Sequence, residues 1–85
     1  MTTWRKLLDV ALAKQFEGFD DIVSNTMTAQ EMDVEFDEDF GSVEGIPFTV
    51  WTTKRVYFPT EYDGAERVAS VLRNPDGLPT RHVGG

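Results

Sequence analysis

The stretch Phe48-Thr49-Val50-Trp51-Thr52-Thr53-Lys54-Arg55-Val56-Tyr57-Phe58 decides the fold class. β-Branched and aromatic residues fill both arms, and such side chains suit a pleated surface better than a helix. The arms meet at Thr53-Lys54, a connection short enough only for antiparallel neighbours. The stretch therefore predicts a β-hairpin over 48–58. Pro59, which lacks an N–H, predicts a free edge or a bulge where the second strand continues.

Upstream the period changes. Trp4, Leu7, Leu8, Ala11, Leu12 and Gln15–Phe16 recur at helical spacing, with Thr2 or Thr3 placed as a cap and Gly18 as a stop. Phe19 to Asn25 reads as a short helical turn opened by Asp20. Thr28-Ala29-Gln30-Glu31 has capping-box spacing and predicts a turn of helix around 28–32. Met32, Val34, Phe36 and Phe40 then alternate with acids, which is strand periodicity. Asp and Glu are poor strand formers, so an edge strand or extended loop is expected. Gly41, Gly45 and Pro47 break it into a turn.

Downstream of the hairpin two readings stand. Tyr62-Asp63-Gly64-Ala65 is a good two-residue hairpin turn leading into a third strand. Asp63-Gly64-Ala65-Glu66 also has capping-box spacing, and Ala65, Val68, Ala69 and Leu72 share a helical face, so the helix is preferred. The expected fold is α+β: an N-terminal helix packed on a small antiparallel sheet, with 63–73 as helix or third strand. Residues 1–75 are expected to form one small domain, with Trp4, Phe16, Phe36, Phe48 and Phe58 in its core. Residues 76–85 are expected to be a mobile tail.

Charge is the other conspicuous feature. The 85 residues carry 15 acids against 8 bases, a net charge of −7. Between Lys14 and Lys54 there is no base, while ten acids fall in that window: Glu17, Asp20, Asp21, Glu31, Asp33, Glu35, Asp37, Glu38, Asp39 and Glu44. The window is therefore −10 and the remainder, with five acids and eight bases, is +3. Such packing costs self-repulsion beyond what solubility requires. It also argues against direct binding to nucleic acid or an anionic membrane. No apolar run is long enough to span a bilayer, no secretory h-region follows Met1, and a cytoplasmic location is expected. With no cysteine there is neither a disulfide framework nor a thiolate cluster.

Residues for chemistry are scarce. His82 is the single histidine and sits near the C-terminus without a supporting group. Carboxylate pairs need a cleft with fixed walls, for which so short a chain has little room. No enzymatic activity and no cofactor are expected. Asp33, Glu35, Asp37, Asp39 and Glu44 occupy positions 1, 3, 5, 7 and 12 of an EF-hand-like window. Glu38 stands where that loop needs glycine, and Gly45 with Pro47 pre-empts the exiting helix, so no metal site is expected. Gly84-Gly85 resembles the diglycine end of ubiquitin-like proteins and sulfur carriers. Those proteins begin with a hairpin, whereas this chain begins with a helix.

The acids suggest a partner instead. If Glu31, Asp33, Glu35, Asp37 and Asp39 lie on one strand face, they form a row about 27 Å long. That is about half the charge density of a DNA strand, which carries a phosphate about every 3.4 Å. Such a row would attract a protein that grips phosphates with Lys and Arg. Trp51 and Tyr57 are candidate anchors beside it. Arg55, Arg67, Arg73 and Arg81 are expected to act as counter-charges to the acidic segment.

The segments VEFDEDFG, GIPFTVWTTKRVYFP and YDGAERVASVLRNP resemble small uncharacterised proteins encoded by tailed bacteriophages. The resemblance implies a context in which small acidic proteins bind and block a host enzyme or defence complex, and no catalytic residues. The leading expectation is thus a non-enzymatic inhibitor in the bacterial host cell, presenting a nucleic-acid-mimicking face to a basic host protein. The alternative is a structural or assembly module that forms a homo-oligomer through an apolar patch. A third reading, a cation-dependent regulator, would use residues 33–44.

Overall fold

In the computed structural model, which describes residues 1–37 and 44–83, the chain is an α+β domain: one long helix against a four-stranded antiparallel sheet. The elements are α1 (Trp4–Lys14), a 3-10 turn (Phe19–Asp21), β1 (Ile22–Asn25), α2 (Ala29–Met32), β2 (Val50–Thr52), β3 (Arg55–Tyr62) and β4 (Ala65–Leu72). The strands lie in chain order.

Helix α1 starts as expected. The Thr3 hydroxyl accepts the Lys6 N–H at 3.2 Å, satisfying a donor that the first turn leaves orphaned. Trp4, Leu8, Ala11 and Leu12 are buried along one face. The end differs from expectation: the helix stops before Gly18, through Phe16. The Phe16 N–H donates to the Ala13 carbonyl at 3.0 Å and the Glu17 N–H to the Leu12 carbonyl at 2.9 Å, a Schellman closure. Phe16 takes the left-handed position where glycine is usual (φ 58°), and its ring is 98% exposed rather than in the core.

Residues 19–25 are also corrected. Only Phe19–Asp21 is helical; β1 follows and pairs antiparallel with β2 across a bulge between Ile22 and Ser24. Ile22 and Val23 favour the strand intrinsically, and β2 supplies the neighbour. The capping box at Thr28 forms in full, with Thr28 accepting the Glu31 N–H at 3.1 Å and Glu31 accepting the Thr28 N–H at 2.9 Å.

Over its described residues, 31–37, the acidic segment is not a strand. Residues 31–32 end α2, and only Phe36 makes a bridge, exchanging backbone hydrogen bonds of 2.8 and 2.9 Å with Thr2. Met32 and Phe36 are buried whereas Val34 is 60% exposed, so the apolar alternation does not mark one face. Glu38, Asp39, Phe40 and Gly41 lie outside the described residues, as do Gly84 and Gly85.

The hairpin over 48–58 forms, with Val50 opposite Tyr57 and Trp51 opposite Val56. Thr52 is buried in its turn, and its hydroxyl accepts the Lys54 N–H at 3.1 Å and the Arg55 N–H at 2.9 Å. The preference for a helix over 63–73 is overturned: β4 pairs with β3 through eight residue pairs, from Arg55–Leu72 to Tyr62–Ala65. Asp63 (φ 51°) and Gly64 (φ 86°) are both left-handed, the requirement of a type I′ hairpin turn. β3 runs past the last β2 pairing at Tyr57, so Pro59 sits where its missing N–H leaves no gap in the β2–β3 ladder.

The sheet has two unequal faces. Val50, Thr52, Tyr57 and Glu66 are buried on the side that α1 covers. Register places Trp51, Val56, Phe58, Ala69 and Val71 on the other side, where all five are half-buried. Phe58 therefore belongs to this outer face rather than to the core.

The core centres on Trp4. Its ring meets Phe36 and Phe48 at centroid distances of 4.8 and 4.9 Å, and its indole N–H donates to the Ile46 carbonyl at 2.9 Å. Gly45 lies flat against the indole, where a Cβ would come within 2.5 Å of a ring carbon.

Candidate functional site

The acids singled out in the sequence have different surroundings. Glu31 closes the cap of α2. Asp33, at the end of that helix, is held by Arg5 of α1, with Nε to Oδ1 at 2.6 Å and Nη2 to Oδ2 at 3.2 Å. This hydrogen bond lowers the Asp33 pKa and raises that of Arg5. Arg5 also lies 5.9 Å over the Phe19 ring, joining α1 to the turn before β1. Glu35 is exposed, and the Asp37 N–H donates to Glu44 at 3.4 Å. Asp39 lies outside the described residues. With residues 31–32 helical and 33 in a turn, the described residues Glu31 and Asp33 do not begin the straight row of carboxylates expected of a strand.

The two aromatic anchors also separate. Tyr57 is fully buried on the α1 side, and its hydroxyl donates to the Glu17 carboxylate. Burial first, and then that hydrogen bond, push the phenol pKa up. Tyr57 therefore fastens the end of α1 to the sheet and offers no surface to a partner. Trp51 is half-buried on the opposite face, in a cavity shared with Val23, Ser24 and Arg73, away from the acids.

Two of the four expected counter-charges, Arg55 and Arg73, have other roles. The Arg55 guanidinium donates to the Ser70 hydroxyl at 2.8 Å and Arg73 to the Thr52 carbonyl at 3.1 Å. Both brace the hairpin instead of neutralising the acidic segment.

The structure assembles one site from residues that the sequence had kept apart. A groove of about 350 Å³ opens between residues 34–36 and 44–46 over the start of α1. Trp4 and Phe36 form its floor, Val34 and Ile46 its walls, and Glu31, Glu35 and Glu44 stand around it. Among the described residues, no Lys or Arg lines it. Val34 and Ile46 are 60% and 39% exposed, so apolar surface is presented to solvent within a frame of carboxylates.

One wall is held from below by Glu66. This carboxylate is 1% exposed and accepts the Glu44 N–H at 3.0 Å and the Gly45 N–H at 2.9 Å. Its role was hidden in the sequence. Once β4 is read as a strand, Glu66 falls in phase with core-facing Val68, and an acid at an inward position is the signal of a buried polar task.

Among the described residues, no three His, Cys, Asp or Glu side chains are grouped to hold a metal ion. No described helix is long and apolar enough to cross a membrane. Set against protein-family models, curated proteins and solved structures, the chain matches none.

Proposed function

We propose that this is a non-enzymatic protein-binding protein whose acidic side docks on a basic surface of a larger protein. In its sharpest form it is a phage-encoded inhibitor that blocks a nucleic-acid-binding or defence protein of the bacterial host. The observation that carries the reading is the groove, where exposed Val34 and Ile46 sit among Glu31, Glu35 and Glu44 with no base among the described lining residues. An apolar centre within a charged rim is the anatomy of a protein interface, and the carboxylates would steer a basic partner into place. Competition with nucleic acid would then come from charge rather than from a phosphate-like spacing, since Glu31 and Asp33 lie at a helix end and a turn rather than along a strand.

The test uses immobilised protein and bacterial lysate at about 50 mM and about 200 mM salt. Basic proteins are expected to be captured at the lower salt, displaced by duplex DNA, and lost from a Glu35→Lys/Glu44→Lys variant. Equal capture by that variant, unaffected by DNA, would refute the proposal.

A second reading, a homo-oligomeric assembly module, is favoured by the outer sheet face. Trp51, Val56, Phe58, Ala69 and Val71 lie there half-buried, and register places no acid of β2, β3 or β4 on that side. Light scattering decides it: a stable oligomer that dissociates on Val56→Lys supports this reading, and a monomer at all concentrations removes it.

A further inference from the structure

Resting on the acidic-face reading, we propose that the groove between Val34 and Ile46 receives a single aliphatic side chain of the partner, flanked in the partner's own sequence by lysine or arginine. The size of the groove limits the occupant. At about 350 Å³ it lies at the small end of ligand sites, ample for an aliphatic side chain and too little for a docked helix.

Chemistry restricts the occupant further. The floor and walls are Trp4, Phe36, Val34 and Ile46, which reward burial of an apolar group. Glu31, Glu35 and Glu44 disfavour an anionic neighbour on every side and favour a cationic one. Glu31 uses Oε1 to accept the Thr28 N–H, and among the described residues no hydrogen bond to the Glu35 carboxylate is made.

The groove is also formed in advance. Trp4 is pinned by its hydrogen bond to Ile46 and by the close approach of Gly45. Glu66 ties the backbone of Glu44 and Gly45 to β4. A partner therefore has little ordering to impose on this wall when it binds.

The experiment titrates the full-length, isotopically labelled chain with three pentapeptides. One has four lysines around a central leucine, the second has four lysines around glycine, and the third has four glutamates around leucine. The Trp4 indole N–H and the Val34 and Ile46 methyl resonances report on the groove. The lysine–leucine peptide is expected to move all three and to bind about five-fold tighter than the lysine–glycine peptide. The glutamate peptide is expected not to bind. Val34→Ser, a change at an exposed position, is expected to abolish the five-fold difference while leaving the lysine–glycine affinity as it was.

Equal affinity for both lysine peptides, with the groove resonances unmoved, would overturn the groove and leave the acidic face standing. Failure of both lysine peptides to bind would overturn the two together. Equal binding of the glutamate and lysine–leucine peptides would remove the cationic flanks from the proposal.

Discussion

Replacing Glu66 by alanine takes away the acceptor of the Glu44 and Gly45 N–H groups, at 3.0 and 2.9 Å, from a position that is 1% exposed. A hydrogen bond to a charged group contributes about 1.5–3 kcal/mol. Both donors belong to a partly exposed segment, so water recovers part of that, and a loss of about 2–4 kcal/mol remains. Glu66→Gln keeps the shape and one acceptor oxygen but turns an amide donor toward the second N–H, which gives about half the loss. Urea unfolding followed by tryptophan emission measures both. With a slope of about 1 kcal/mol/M for a small domain, the alanine midpoint falls by about 2–4 M. The amide resonances of Gly45 and Ile46 shift with it, because the wall of the groove has lost its tie to β4. A midpoint change under about 0.5 M for alanine, with the Gly45 amide unmoved, would refute the claim that this carboxylate holds the segment.

Two further consequences concern the turn after α1. Folding raises the Tyr57 pKa above its ordinary value of 10.0, so the stability this supplies is complete below pH 10 and is lost as the pH rises beyond it. Urea midpoints measured from neutral pH upward are expected to fall above pH 10, with a slope approaching about 1.4 kcal/mol per pH unit from this group. In Tyr57→Phe that part of the decline is absent, and an identical decline in both proteins would contradict the assignment. Phe16→Gly places glycine at the left-handed position of the Schellman closure and removes a ring that is 98% exposed. Relief of about 1–2 kcal/mol of backbone strain outweighs glycine's greater unfolded-state freedom, so melting rises by a few degrees; a lower melting temperature would show that the ring contributes packing.

Local chemistry alone carried α1, the Thr28 cap and the hairpin over 48–58, and it offered the Asp63-Gly64 turn as the less favoured of two readings. Each rests on neighbours in the chain: a hydroxyl three residues before the N–H it accepts, or two residues able to adopt positive φ. The same local signals pointed the wrong way where pairing across the sheet decides. Ala65, Val68, Ala69 and Leu72 suit a helix face, but β3 offers eight partners in register, and a strand with a neighbour outweighs a weak helical propensity. Residues 31–36 alternate as a strand should, yet among the described residues only an isolated bridge from Thr2 pairs with them, and Arg5 holds Asp33 against α1.

The candidate site divides in the same way. Composition and spacing determined that the chain carries a −10 stretch without a base and enough apolar residues for a core. Folding determined which of those charges are engaged and that Tyr57 is buried. It also brought Trp4, Val34 and Ile46, distant in sequence, around one groove. The reason is physical: charge and propensity belong to a residue or its near neighbours, whereas burial and hydrogen-bond partnership belong to whatever the fold places opposite it.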